Sequence, residues 1–197
     1  MAQRDLLEAN LSREELLALR NKRTGLTIFQ LSWILVFVCL VVVNLQLRSN
    51  YPSWPPPGVE PLSIFPPTLA TVLLIVSAVL ARQSMQAVNT GNISTFRSLW
   101  KAVLILGAVF VAIIAYEWII IPSSGQYGTL FRVMTAYHAV HALAIGIYMW
   151  QIYRTHITPN VTNNTEIGDW WLFEAGVKLW YFVVVAWILF YVVLYWI

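Results

Sequence analysis

The sequence predicts an all-α fold: a polytopic membrane helix bundle of five transmembrane helices, preceded by a short N-terminal juxtamembrane helix. Three observations carry this. Of the 197 residues, 59% are hydrophobic and only 11% charged, against about 25% charged in an ordinary soluble domain. Such a chain cannot cover its surface in water, so lipid is its solvent. Five apolar runs reach or approach the roughly 20 residues that a helix needs to cross a hydrocarbon core of about 30 Å. The basic residues lie outside these runs or at their ends, unequally shared between alternate loops. Their spread along the chain also argues against nucleic-acid binding as the meaning of the net charge of +3.

The first run extends from Leu26 to Leu47, interrupted only by Thr27, Gln30, Ser32, Asn44 and Gln46. Before it, Ser12-Arg13-Glu14-Glu15 reads as a capping box that opens a short helix from Arg13 to Arg20. Leu16, Leu17 and Leu19 would lie on the membrane surface, against a partner, or on a solvated juxtamembrane helix. Residues 1–25 thus form an N-terminal segment and 26–197 the membrane domain. The first 25 residues lack an apolar h-region and cleavage site, so no signal peptide is expected. The second run is the weakest: its apolar part, Leu69 to Ala81, is short. Pro66-Pro67 stand before it as a helix start, and it is expected to continue past Arg82, whose side chain snorkels. The third run spans Leu99–Ile121, the fourth Leu130–Ile152, and the fifth Phe173–Ile197.

Charge then orients the bundle. Arg4, Arg13, Arg20, Lys22 and Arg23 precede the first span; Arg82, Arg97 and Lys101 flank the second-to-third loop. Arg154 lies in the fourth-to-fifth loop, whereas the other two loops offer only Arg48 and Arg132. The positive-inside rule places the N-terminus inside and, after five spans, the C-terminus outside. Trp100, Trp150, Trp170 and Trp171 at inner ends, with Trp118 and Trp196 at outer ends, fit an aromatic belt. The single cysteine, Cys39, excludes an internal disulfide and any multi-cysteine metal site, and is expected to be a small buried hydrophobe. The sequons at Asn160 and Asn163 fall in a loop read as inside, where they are chance matches.

Ionisable residues at membrane depth are costly and normally face protein, so they mark candidate sites. Glu117, about one turn from the outer end of the third span, and Arg132, near the outer start of the fourth, are expected to pair; a proton-relay carboxylate is the alternative. His138 and His141 stand about 4.5 Å apart along the fourth helix. Alongside a stripe of Thr135, Ala139, Ala142 and Gly146, they suggest one protein-facing surface held by helix-packing hydrogen bonds. A metal site lacks a third ligand nearby; His138 alone as one axial haem ligand stays open, as in a stand-alone membrane haem protein. Glu174 and Lys178, spaced i, i+4 with the acid first, predict an ion pair, the alternatives being a proton-entry or lipid-headgroup site. Trp54-Pro55-Pro56-Pro57-Gly58 is a rigid extended run that ends where glycine permits a turn. No repeat or broken helix supports a transporter.

WPPPG after the first span, AYEW late in the third, YGTLFRVMTAYHAVHALAIG on the fourth and FEAGVKLWYFVVVAWILFY on the last stand in this order. Together they resemble subunit III of the haem–copper cytochrome c oxidases, over about Gly25 to Ile197, the last five helices of its seven-helix form. The resemblance assigns Trp54 to Gly58 to the outer-loop motif, Glu117 to a family glutamate, and His138 and His141 to the HxxH helix. Phe173, Glu174, Ala175 and Gly176 match the family's FEAG, and Trp180 and Trp187 its last-helix aromatics.

The resemblance implies a non-catalytic subunit of a terminal oxidase in aerobic respiration. It would bind no haem, copper or other cofactor, which are expected in partner subunits. Its partners would be the catalytic haem–copper subunit, other oxidase subunits and membrane phospholipids, in the cytoplasmic membrane of a prokaryote. The contact candidates are His138, His141, Glu174, Lys178, Glu117, Arg132, Trp54 and Gly58. Three departures stand out: the family's first two helices are missing, Trp33 takes the place of a membrane glutamate, and the family's WHFVD becomes Trp180-Tyr181-Phe182-Val183-Val184. Third subunits of quinol oxidases and accessory subunits of nitric oxide reductases therefore remain alternatives.

Overall fold

The computed structural model describes residues 3–121, 125–157 and 167–197; Asn160 and Asn163 lie outside the described residues. Helix α1 spans Gln3–Ala9, α2 Arg13–Arg48, α3 Phe65–Asn89 and α4 Ile93–Ile120. Helix α5, Gly125–Ile152, runs on into a π-helical turn, Tyr153–Ile157, and α6 covers Ile167–Tyr195. Five of these helices are long and apolar enough to cross a membrane, as expected. The end of the bundle where α6 begins is called proximal below, and the other end distal.

Local chemistry sets the helix ends. The Ser12 hydroxyl accepts from the Glu15 backbone N–H at 3.3 Å, and the Glu15 carboxylate accepts from the Ser12 N–H at 2.9 Å, so the capping box is formed. The helix it opens does not stop at Arg20 but continues through Gly25 to Arg48. Extending a helix costs less than nucleating a second one, and a lone glycine costs only about 1 kcal/mol. A separate short helix, α1, precedes it instead. Pro66 and Pro67 fall in the first turn of α3, where their missing N–H groups cost nothing, and α3 does continue past Arg82. Gly91, at φ +75°, turns the chain into α4, whose first turn the Asn92 side chain caps by accepting from the Thr95 N–H at 3.1 Å.

Helix α6 is central and packs against α2, α3 and α5. Half of its apolar stretch is buried, against 6% for α2, which lies along the edge of the bundle. Phe37 points inward from α2, while Leu31, Leu35 and Val42 point out. Cys39 is likewise exposed rather than buried, because most of the circumference of α2 is uncovered. Trp100 and Trp170 do not join an aromatic belt: they are 0% and 3% exposed and face the bundle. Trp118, Trp150 and Trp196 are exposed, as a belt requires.

A repeated hydrogen-bond pattern joins α6 to α3. Thr68, Thr71 and Ser77 each donate their single hydroxyl hydrogen to a carbonyl of their own helix, at 2.6 to 2.7 Å. Their oxygens are left to accept. Tyr191 then meets Thr68 at 2.7 Å, the Trp187 indole donates to Thr71 at 2.8 Å, and the Trp180 indole to Ser77 at 2.9 Å. Between α4 and α5 the device recurs, with Thr135 donating to Phe131 O and accepting from the Trp118 indole.

Trp180 also reaches α4. A Cβ added at Gly107 would overlap the Trp180 ring, so glycine is required there for the two helices to approach. The Trp180 ring is 3% exposed and tied to Ser77, so it cannot swing away. We expect Gly107→Val to lower unfolding stability in detergent by about 1–3 kcal/mol, the usual cost of overpacking. Gly146→Ala, where an added Cβ meets nothing within 4 Å, should be nearly neutral in the same assay.

Candidate functional site

At the proximal end four charges converge from three helices. The Glu174 carboxylate accepts from Lys178 Nζ at 2.8 Å, the pair predicted from spacing. It also accepts from Arg23 of α2, through Nε at 3.1 Å to both oxygens and Nη2 at 2.8 Å. Arg23 Nη2 in turn meets Glu8 of α1 at 2.7 Å. Two acids and two bases thus cancel, and α1 and α2 are pinned to the start of α6. The planar guanidinium suits this bridging, since its fork presents several donors at once. Gln30 adds a bond from Nε2 to Lys178 O at 2.8 Å.

At mid-depth the two histidines part company. A carbonyl oxygen can only accept, so the ring nitrogens bonded to one must carry hydrogen. His138 Nε2 therefore donates to Val183 O of α6 at 2.9 Å, with its ring between Phe110 and Trp187. His138 is 1% exposed and makes the helix-packing hydrogen bond expected of it, so as a contact candidate it faces the bundle interior and not another subunit. The reason is packing: α6 fills the side of α5 toward which His138 points. His141 Nδ1 donates to Tyr137 O one turn back, at 2.6 Å, and the ring lies edge-on to Trp33 and Phe37 of α2. Trp33, in place of the expected glutamate, thus serves as a packing surface for His141. Among the described residues, no three His, Cys, Asp or Glu side chains come together as a metal would need.

At the distal end Glu117 and Arg132 do not pair. Glu117 is fully buried, and its Oε2 accepts from the Tyr195 hydroxyl at 2.6 Å. Arg132 Nη2 instead donates to Ile121 O at 3.0 Å. Two preferences separate them. Glu117 turns toward α6, while the half-buried arginine reaches the carbonyl end of α4, which carries partial negative charge. Glu117 is also too deeply enclosed to touch lipid or a neighbouring subunit directly.

The WPPPG loop folds across this end. Gly58 has φ +84°, and Val59 N–H bonds Pro56 O at 3.1 Å, so Pro57 and Gly58 occupy the second and third positions of a tight turn. Proline followed by positive-φ glycine is the pattern of a type II turn. The Trp54 ring lies 5.5 Å from Tyr127 and 5.4 Å under the Arg48 guanidinium. Arg48 Nη1 also donates to Val193 O at 2.9 Å, which ties the loop to the end of α6.

Sequence reasoning missed Arg23, Glu8 and Tyr195 as partners. The charge of Arg23 was visible, but nothing local links it to a carboxylate 151 positions away. Tyr195, near the end of a run rich in aromatics, gave no sign that its hydroxyl meets Glu117.

The fold and these contacts define a polytopic α-helical membrane protein whose membrane-depth polar side chains largely bond helix to helix. Comparison with known proteins gives the family. The family model of cytochrome c oxidase subunit III matches residues 4–197. Among curated relatives, cytochrome c oxidase subunit 3 of Anopheles gambiae is 30% identical over 148 residues, covering 73% of this chain and 55% of that one. The protein of the same name from Drosophila yakuba is 30% identical over 187 residues, covering 88% and 68%. That of Scyliorhinus canicula is 31% identical over 147 residues, covering 73% and 55%. The chain belongs to the cytochrome c oxidase subunit III family, and it spans about half the length of the first of these relatives.

The proximal cluster yields a graded prediction. Arg23→Gln, which removes the charged bridge between Glu174 and Glu8, should cost about 2 kcal/mol, the scale of hydrogen bonds to charged groups. Lys178→Gln, at a more exposed position, should cost less than about 1 kcal/mol. Thermal unfolding of the detergent-solubilised variants measures both.

Proposed function

We propose that the chain is the non-catalytic third subunit of a haem–copper terminal oxidase, seated beside the catalytic subunit in a respiratory membrane. There it stabilises that subunit, holds lipid and supports proton uptake. Haem and copper belong to the partner subunits in this reading. Its N-terminus lies inside: Arg13, Arg20, Lys22, Arg97, Lys101 and Arg154 all sit at the proximal end, while Arg48 and Arg132 sit at the distal end.

One observation carries the reading beyond family membership. Asn44, Thr71, Ser77, Glu117, Thr135 and His138 at membrane depth are turned inward, while α2 offers a long, mainly apolar face that the rest of the chain leaves uncovered. A helix so placed suits lateral docking on another membrane protein through close packing. The inward histidines support the same reading against a stand-alone haem protein. The Nε2 of His138 carries hydrogen toward Val183 O, so this nitrogen is not free for iron without a change of tautomer and a lost interhelical bond.

Purification from native membranes through an affinity tag on this chain is the test. We expect a haem–copper subunit to come out with it, and all haem absorbance to follow that partner when the complex is split. Isolation of a lone, colourless oligomer with transport activity would overturn the proposal. A Soret band carried by the separated chain would do the same.

A further inference from the structure

Helices α4 and α5 touch only sparingly, and between them runs a cleft open to the surrounding membrane. Its proximal half, about 480 Å³, has Gly107, Ala108, Ala142 and Gly146 among its lining residues and Trp180 at its back. Its distal half, about 510 Å³, shares Val111 and Leu143 with the first and ends at Trp118. Bulk is absent here for more than one reason. Gly107 is needed to admit the Trp180 ring, but a Cβ on Gly146 would meet nothing within 4 Å, so Gly146 faces open space. Water has little to bond there: the Trp180 and Trp118 indoles are already committed to Ser77 and Thr135.

The two halves differ in charge. The mouth of the proximal half carries Lys101, exposed and without a carboxylate partner among the described ion pairs, next to the exposed Trp150. No charged side chain lines the distal half. Depth fits as well. From Lys101 to Val111 the helix rises about 15 Å, half of a hydrocarbon core of about 30 Å, which is the reach of one acyl chain from its headgroup.

We infer that the proximal α4–α5 cleft binds one acyl chain of an anionic phospholipid, with the headgroup phosphate on Lys101 and Trp150 at the interface. This deepens the lipid-holding part of the proposed function by naming the lipid class and its seat. It rests on that reading only for the membrane setting.

Native mass spectrometry of the full-length chain, titrated with phosphatidylglycerol or phosphatidylcholine, tests it. The unaltered chain should retain phosphatidylglycerol more tightly. Lys101→Gln should weaken phosphatidylglycerol about fivefold, the discrimination that one lysine gives near an anionic headgroup, and leave phosphatidylcholine unchanged. Gly146→Leu, whose Cβ meets nothing within 4 Å and whose side chain extends into the cleft, should weaken both lipids while the helical circular dichroism stays intact. Equal retention of the two lipids by the unaltered chain would overturn the inference, as would unaltered binding in both variants. Lipid retained by Gly146→Leu together with loss of a co-purifying protein subunit would also overturn it, because a partner helix would then own the cleft. The lipid comparisons on the isolated chain do not depend on whether an oxidase co-purifies, so the lipid site and the oxidase reading fail separately.

Discussion

A donor or acceptor in the hydrocarbon layer finds no water, so it must be answered by protein. Helix α6 is where this chain settles most of them. Three of its carbonyls, at Lys178, Val183 and Val193, accept side-chain hydrogens from Gln30, His138 and Arg48; Val193 lies in the last turn, where Ile197 N–H bonds Val192 O instead. Its own donors, on Trp180, Trp187 and Tyr191, are answered by hydroxyls of α3. Each hydroxyl stays available because it has already given its hydrogen to its own helix. Ser and Thr thus act as adaptors that turn a backbone carbonyl of α3 into an acceptor for an aromatic ring of α6.

The rest of the arrangement follows from that hub. Aromatic rings large enough to carry those donors need room, which Gly107 of α4 supplies to Trp180 and Gly176 supplies to Trp100. The charged groups are placed at the two ends of α6, where the cost of charge is lowest: the Arg23–Glu174–Lys178 cluster proximally, and Arg48 with the Trp54 loop distally. Helix α2 is fastened at these ends and by Phe37 at mid-depth, and its remaining, mainly apolar surface is largely uncovered. Most interior polar groups are thus bonded within the chain, while one side of the bundle stays uncovered by it.

Much of the architecture was legible in the residue order. Five apolar runs became five long helices, the capping box at Ser12 formed, and Glu174 found Lys178, because each of these depends on residues within a few positions. What could not be read depends on which helices become neighbours. His138 and His141 are three residues apart, and periodicity puts them on one broad face. That face straddles two neighbours, so one ring goes to α6 and the other packs on α2. The Glu117–Arg132 pairing was reasonable by depth alone, yet depth does not say which way a side chain turns. Trp100 looked like an interface anchor by position, but its indole donates to Met149 O inside the bundle. Cys39 failed in the opposite sense, since the rest of the chain leaves most of this edge helix uncovered.

Hydroxyl-to-aromatic bonds between α3 and α6 hold the hub. A double-mutant cycle on the whole set is the direct measurement. One arm replaces the α3 hydroxyls (Thr68→Val, Thr71→Val, Ser77→Ala), the other replaces the α6 donors (Tyr191→Phe, Trp187→Phe, Trp180→Phe), and unfolding free energies are compared in one detergent. Interhelical hydrogen bonds in membranes couple by about 0.6 kcal/mol each on average, so the account predicts a joint coupling of about 2 kcal/mol. Effects of the two arms that simply add, within about 0.5 kcal/mol, would contradict it.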